Sequence, residues 1–323
     1  MTGTTERPRE ILVVAHARRE DTVAAARRVI AALQSAGAHP VLPGGDLELR
    51  DALADVGHLE TLGKGVAVDD LELAIVLGGD GTILRAAELV RSGTAPILGI
   101  NMGHVGFLAE IEADVIDDAM RRVIDRDYDV EERMTLAVEV TDAAGAPIYE
   151  TWALNEATVE KAARERMMEV IIEIDSRPLS SFGCDGVVIS TPTGSTAYNF
   201  SAGGPVIWPT VEAIAVVPLS AHALFARPLV VGPEATVAIE VLARTDGTGI
   251  LWCDGRRSHD LPPGARVTAR RSPEPVRLAR LHPAPFTDRL VRKFQLPVAG
   301  WRGPATSRST GADGGMVSPE GAE

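Results

Sequence analysis

The run Val76-Leu77-Gly78-Gly79-Asp80-Gly81-Thr82-Ile83-Leu84-Arg85 sets a carboxylate among three glycines, where an apolar strand empties into a helix. That arrangement suits phosphate chemistry on a hydroxyl. Leu73 to Leu77 is unbroken and apolar, as a buried parallel strand should be, and Ile83, Ala87 and Val90 recur at helical spacing. The loop therefore falls at a strand's carboxyl end, where open α/β sheets bind ligands. Gly78, Gly79 and Gly81 are expected to take positive φ and, with Thr82, to let backbone N–H groups approach a phosphate. Asp80, the only acid in the loop, is then the group to accept a proton from an attacking hydroxyl or to hold a phosphate-bound metal ion. Asp-Gly is also a turn dipeptide, and Asp185, Asp246, Asp254 and Asp313 precede glycine too, so the assignment rests on the strand, glycines and helix around Asp80. No Lys-Ser or Lys-Thr follows the glycines, which excludes the commonest nucleotide loop.

A second run, Cys184 to Pro205, ends a strand in Ser190, Thr191, Thr193, Ser195, Thr196, Tyr198 and Ser201, closing on Gly203-Gly204-Pro205. Its hydroxyls suit a ribose and an adenine edge, with Tyr198 covering an apolar face. The competing reading is a Ser/Thr-rich turn that satisfies its own backbone.

With both runs in view, the chain resembles the NAD kinase family. The Gly-Gly-Asp-Gly loop is shared with lipid kinases and phosphofructokinases, whereas Asn155-Glu156, the Thr191 to Ser201 run and Gly203-Gly204-Pro205 are specific to NAD kinases. The likeness extends from Ile11 through Gly103-His104-Val105-Gly106-Phe107-Leu108 to Phe286-Thr287-Asp288-Arg289-Leu290. It implies that Asp80 deprotonates the adenosine-ribose 2′-hydroxyl of NAD, and that Gly81 and Arg85 contact dinucleotide and phosphates. Asn155, Glu156, Asp185, Thr196, Ala197, Tyr198 and Ser201 match its dinucleotide-binding positions. Gly183 stands where several members place arginine, which leaves Arg166 or Arg164 to supply that charge. The resemblance further implies Mg²⁺ with unassigned ligands, ATP or inorganic polyphosphate as phosphoryl donor, and a homodimer or homotetramer in which Asp185 or the Ser220 region reaches a neighbouring site. A lipid or sugar kinase would not need Asn155-Glu156 or Thr196-Ala197-Tyr198, and a dinucleotide-sensing module would dispense with Asp80.

The rest of the chain must position these groups. Its 323 residues, 45% hydrophobic, have room for two cores. A net charge of −13 leaves no basic stripe for nucleic acid. Cys184 and Cys253 match no metal-ligand spacing and read as reduced thiols, and with no signal peptide or bilayer-length apolar run the expected location is the cytoplasm, without a membrane partner. Strands at Ile11 to Ala15, Leu73 to Leu77 and Ile97 to Ile100 alternate with helices at Asp21 to Ala36, Thr82 to Ser92 and about Asp114 to Arg126. Short strands follow from Val130, with hairpin turns at Asp175-Ser176-Arg177-Pro178 and Thr245-Asp246-Gly247. The expectation is an N-terminal Rossmann-like α/β domain (10–129) and a C-terminal β-rich, β-sandwich-like domain (130–283). A helix then returns to the first domain (284–302), between flexible ends at 1–9 and 303–323. His16 reads as a loop-facing hydrogen bonder, Asn101 and His104 either touch substrate or satisfy loop backbone, Ser220 and His222 fall where the resemblance implies an approach to the nicotinamide end, and Trp208 is a packing residue.

Overall fold

Unbroken apolar strands have to be covered on both faces, and that requirement organises the first half of the chain. The computed structural model describes residues 8–103, 106–109, 111–112, 115–163, 167–244, 248–281 and 285–298. The first unit comprises β1 (Glu10–Ala15), α1 (Glu20–Ser35), β2 (His39–Leu42), α2 (Leu47–Ala52), β3 (Glu60–Thr61), β4 (Leu71–Leu77), α3 (Asp80–Val90), β5 (Ile97–Asn101), β6 (Ile111–Glu112), α4 (Ile116–Ile124) and β7 (Asp129–Arg133). The second comprises β8 (Leu136–Thr141), β9 (Pro147–Ala153), β10 (Glu156–Lys161), β11 (Met168–Ile174), β12 (Arg177–Cys184), β13 (Gly186–Ser190), α5 (Tyr198–Ser201), β14 (Ile214–Leu219), β15 (Leu229–Val231), β16 (Val237–Val241), β17 (Gly249–Cys253), β18 (Arg257–Leu261) and β19 (Arg266–Arg271). The chain then returns through β20 (Val276–Arg280) and α6 (Phe286–Phe294).

The first sheet has the order β3-β2-β1-β4-β5-β20-β7, with β6 beside β5. Every described pairing in it is parallel except β20 with β7. Helices cover both faces. On α1, Val23, Ala26, Ile30 and Leu33 are buried at helical spacing, and the helix stops where Gly37 turns to φ +74° and Ala38 N–H reaches back to the Leu33 carbonyl at 2.9 Å. On α3, Ile83, Ala87 and Val90 are buried as their spacing foretold, and the helix begins at Asp80, two residues before the expected Thr82. Because β2 departs to one side of β1 and β4 lies on the other, the chain changes direction between the carboxyl ends of β1 and β4, where Ala15 pairs with Leu77. Such a switch point leaves a crevice.

The second unit packs two six-stranded antiparallel sheets, β15-β14-β13-β10-β17-β18 and β12-β11-β16-β19-β8-β9, through one apolar core. Val138, Val170 and Ile172 from one sheet meet Val159, Val187 and Leu251 from the other. This is the expected sandwich. Asp175 (φ +51°) and Ser176 (φ +62°) make the hairpin turn read at that position, while the Thr245 to Gly247 turn lies outside the described residues.

Two details differ from the sequence reading. β7 and β20 lie in the first sheet, so the chain is already back in the first domain at Val276, before the boundary at 283. Arg9, assigned to a flexible end, donates to the Val123 and Ile124 carbonyls at 3.0 and 2.8 Å and pairs with Glu72 at 2.6 Å. Burial alone would raise the Glu72 carboxyl, but Arg9 and Arg126 outweigh it and bring it down to about 2. The domains meet at Trp152, whose ring carries the guanidinium groups of Arg91 (4.4 Å) and Arg257 (4.5 Å).

Candidate active site

β4 delivers Gly78, whose N–H donates to the Ile100 carbonyl at 2.9 Å, and Gly79 caps α3. A Cβ on Gly78 would lie 2.5 Å from Thr82 Oγ1, so packing alone demands glycine there. Around Gly79 and Gly81 the same Cβ would meet open space. Contrary to expectation, Gly78, Gly79 and Gly81 all avoid positive φ; the helix starts immediately and the loop needs no left-handed residue.

Asp80 occupies the first position of α3, and its carboxylate is held by a neighbouring loop. Oδ2 accepts the Phe107 N–H and Oδ1 the Leu108 N–H, both at 3.0 Å. Gly106 makes this approach possible, because a Cβ there would lie 2.3 Å from Asp80 Oδ1. Each carboxylate oxygen has a second acceptor direction, so the clamp leaves Asp80 able to accept a hydroxyl proton.

A cavity of about 430 Å³ opens beside the loop at the switch point, lined by Ala15, His16, Gly79, Gly81, Thr82, Arg85 and Arg256. His16 both lines it and accepts the Arg18 N–H on Nδ1 at 3.3 Å. Arg85 is oriented by Asp46 (2.8 Å), and Arg256 by Glu88 on α3 (3.1 Å). Arg256 comes from the second domain and was missed in the sequence. It follows Asp254-Gly255, which reads locally as an ordinary turn, and only the domain contact carries it to the glycine loop.

The same turn organises the second domain's share. Asp254, at φ +55°, accepts the Leu154 and Asn155 N–H groups at 3.0 and 2.7 Å and pairs with Arg257 at 2.6 Å. Burial pushes its carboxyl up, against those N–H groups and Arg257. Its own N–H donates to the Glu156 carbonyl at 3.0 Å. The Glu156 side chain is buried, and burial with the Asp254 charge pushes it up to about 8, opposed by the Tyr198 N–H. Its Oε2 has no hydrogen-bond partner among the described residues. An acid kept neutral in this way can donate as well as accept.

The hydroxyl run divides between the two readings. Thr191 Oγ1 donates to the Leu154 carbonyl (2.5 Å) and Ser195 Oγ to the Pro192 carbonyl (2.7 Å), while Asn199 Nδ2 donates to the Pro205 carbonyl (3.0 Å). These polar groups brace the loop from inside. Thr196, Ala197, Tyr198 and Ser201 remain accessible on its outer side. The Tyr198 hydroxyl is raised by partial burial and by the charges of Glu160, Glu156 and Asp185.

Asp185 lies at the far end of β10 from Glu156, within electrostatic reach of Tyr198. It pairs with Lys161 at 2.5 Å at the end of β10 opposite Glu156, a span of about 17 Å over the strand's five steps. Lys161 and Ser220 hold its carboxyl below the usual range. Asn101 is buried at the end of β5, and His222 N–H donates to the Gly183 carbonyl at 2.9 Å. Arg164, Arg166 and His104 lie outside the described residues. Among the described residues, no three His, Cys, Asp or Glu side chains are grouped to hold a metal ion, and no helix is long and apolar enough to cross a membrane.

Comparison with known proteins identifies the family. Residues 11–128 match the model of the ATP-NAD kinase N-terminal domain, and residues 154–281 that of the ATP-NAD kinase C-terminal domain. The chain is 64% identical over 299 residues to an NAD kinase of Leifsonia xyli, covering 92% of this chain and 97% of that one. It is 56% identical to an NAD kinase of Thermobifida fusca, covering 94% of both. A crystal structure of yeast NADH kinase complexed with NADH superposes with a TM-score of 0.80 at 20% identity, over 91% of this chain and 89% of that one. An NAD kinase from Archaeoglobus fulgidus in complex with ATP gives 0.64 at 24%, over 84% and 92%. These two likenesses concern the fold, whereas the identity to the bacterial enzymes runs through nearly the whole length of both chains; the chain belongs to the NAD kinase family.

Proposed function

We propose that the Asp80 carboxylate and the cavity beside it are the two halves of a phosphoryl-transfer site, in the service of the NAD kinase reaction. The chain phosphorylates NAD with ATP. The 2′-hydroxyl oxygen of the adenosine ribose attacks the γ-phosphorus, the bond to the β,γ-bridging oxygen breaks, and ADP leaves with the electron pair. Asp80 takes the hydroxyl proton, help that is typically worth roughly 100-fold to 10,000-fold in rate. The observation that carries this assignment is the crevice where Gly79, Gly81 and Thr82 face Arg85 and Arg256, immediately beside Asp80.

In this reading the donor's phosphates enter that cavity, met by the amino end of α3 and by the two guanidinium groups. Asn155, Glu156, Thr196, Ala197, Tyr198 and Ser201 hold the dinucleotide from the second domain. The unpartnered Glu156 Oε2 supports a hydroxyl contact there. Mg²⁺, when bound, would neutralise phosphate charge; among the described residues no protein cage is grouped for it, and the donor set fits an ion carried in by the phosphates, with Asp80 as the acid of the glycine loop that would help to hold it. Inorganic polyphosphate presents the same terminal group, and the two guanidinium groups would serve it equally. Self-association into a dimer or tetramer is supported by Leu224 and Phe225, exposed on the loop after Ser220. A cytoplasmic site of action fits the free, buried Cys184 and Cys253.

The test is NADP formation by the purified chain with NAD and Mg²⁺, with ATP and polyphosphate in parallel reactions. Product with ATP is expected. Tight NAD binding without product from either donor would replace this reading with a sensing module.

A further inference from the structure

The loop that clamps Asp80 is itself held from behind. Its N–H groups at Phe107 and Leu108 face the carboxylate, while its carbonyls face two arginines of the returning chain. Arg289 Nη1, on α6, donates to the Phe107 and Ala109 carbonyls at 2.8 and 3.2 Å, and Arg280 Nη1, on β20, to the Leu108 carbonyl at 3.3 Å. The same helix seats its aromatic rings on both halves of the site. Phe286 and Phe294 lie 5.9 and 5.8 Å from Phe107. Phe294 also stacks on Phe200 at 4.4 Å, two residues beyond Tyr198, and Phe286 meets Trp208 edge-on at 4.9 Å.

We propose that Arg289 is a positioning residue for phosphoryl transfer, acting through the Phe107 to Ala109 loop on Asp80, and that α6 ties the Asp80 loop to the Tyr198 loop. The rings suffice to seat the helix. They do not set the path of the loop backbone, whereas one guanidinium bonded to carbonyls two residues apart does. Displacing the loop moves both N–H donors off the carboxylate, and a misplacement of about 1 Å at a reacting group can cost on the order of 100-fold in rate. The inference rests on Asp80 being the base.

The experiment is a double-mutant cycle on the full chain, with NAD and ATP, between Arg289→Gln and Asp80→Asn. Arg289→Gln is expected to lower kcat by about 10-fold to 100-fold with KM for NAD little changed. In the Asp80→Asn background it should add almost nothing, because the group it positions is gone. Arg289→Lys, which keeps a charged donor, should recover part of the rate, and it carries the same cycle if the Gln variant does not fold. Losses that multiply in the double variant, or a rise in KM at unchanged kcat, would overturn the inference while leaving Asp80 in place. Wild-type turnover by Asp80→Asn alone would overturn the assignment of the base itself.

Discussion

Asp80 and Phe107 are 27 positions apart in the chain and joined by a 3.0 Å hydrogen bond from backbone N–H to carboxylate. The Asp80 carboxylate, the proposed base, is therefore placed by a loop from the next strand connection as much as by its own glycines. Gly106→Ala tests this placement, since the new methyl would stand 2.3 Å from Asp80 Oδ1. Either the loop or the carboxylate must yield. The expected result is a kcat reduced about 10-fold to 100-fold, with a melting temperature close to wild type, checked by steady-state kinetics and calorimetry.

Arg256 crosses from the second domain to the cavity beside the glycine loop. Arg256→Ala should raise KM for ATP about tenfold and affect KM for NAD much less, because it removes one of the two guanidinium groups that line the cavity proposed for the donor's phosphates. Initial rates with each substrate varied in turn separate the two effects.

Glu156 makes stability depend on pH. Its carboxyl is raised from 4.5 to about 8 in the folded chain, so between those values the native state binds more protons than the unfolded state. Stability therefore falls as pH rises through that window. Glu156→Gln removes the dependence, and its melting temperature should fall less steeply than wild type between about pH 5 and pH 8.

Much of this was legible from local pattern. The apolar runs of β1 and β4 announced central parallel strands, and the glycines followed by Ile83, Ala87 and Val90 placed Asp80 at a helix start. The spacing of Phe286 and Phe294 marked a helix face, which now rests on Phe107. What escaped is nonlocal. Val276 to Arg280 alternates like any hairpin strand, and nothing in its sequence says that it slots between β5 and β7 of the first sheet. Thr191 and Ser195 fell in a run of hydroxyls suited to a ribose because a hydroxyl that braces its own loop has the same composition as one that binds a sugar. Arg256 was hidden for a related reason: its place beside the glycine loop exists only across the domain contact.

Cys184 and Cys253 are both buried, and burial pushes each thiol up to about 12. Neither should react with a thiol-specific alkylating reagent at neutral pH while the protein is folded, and both should react once it is denatured. Mass spectrometry of the alkylated chain under the two conditions decides this.

The central claim is that Asp80 is the base, and the most direct measurement is the rate of NADP formation by Asp80→Asn beside wild type, with NAD affinity measured on both by calorimetry. The account predicts a turnover reduced at least about 100-fold with NAD binding essentially retained. Near wild-type turnover in the variant would contradict it.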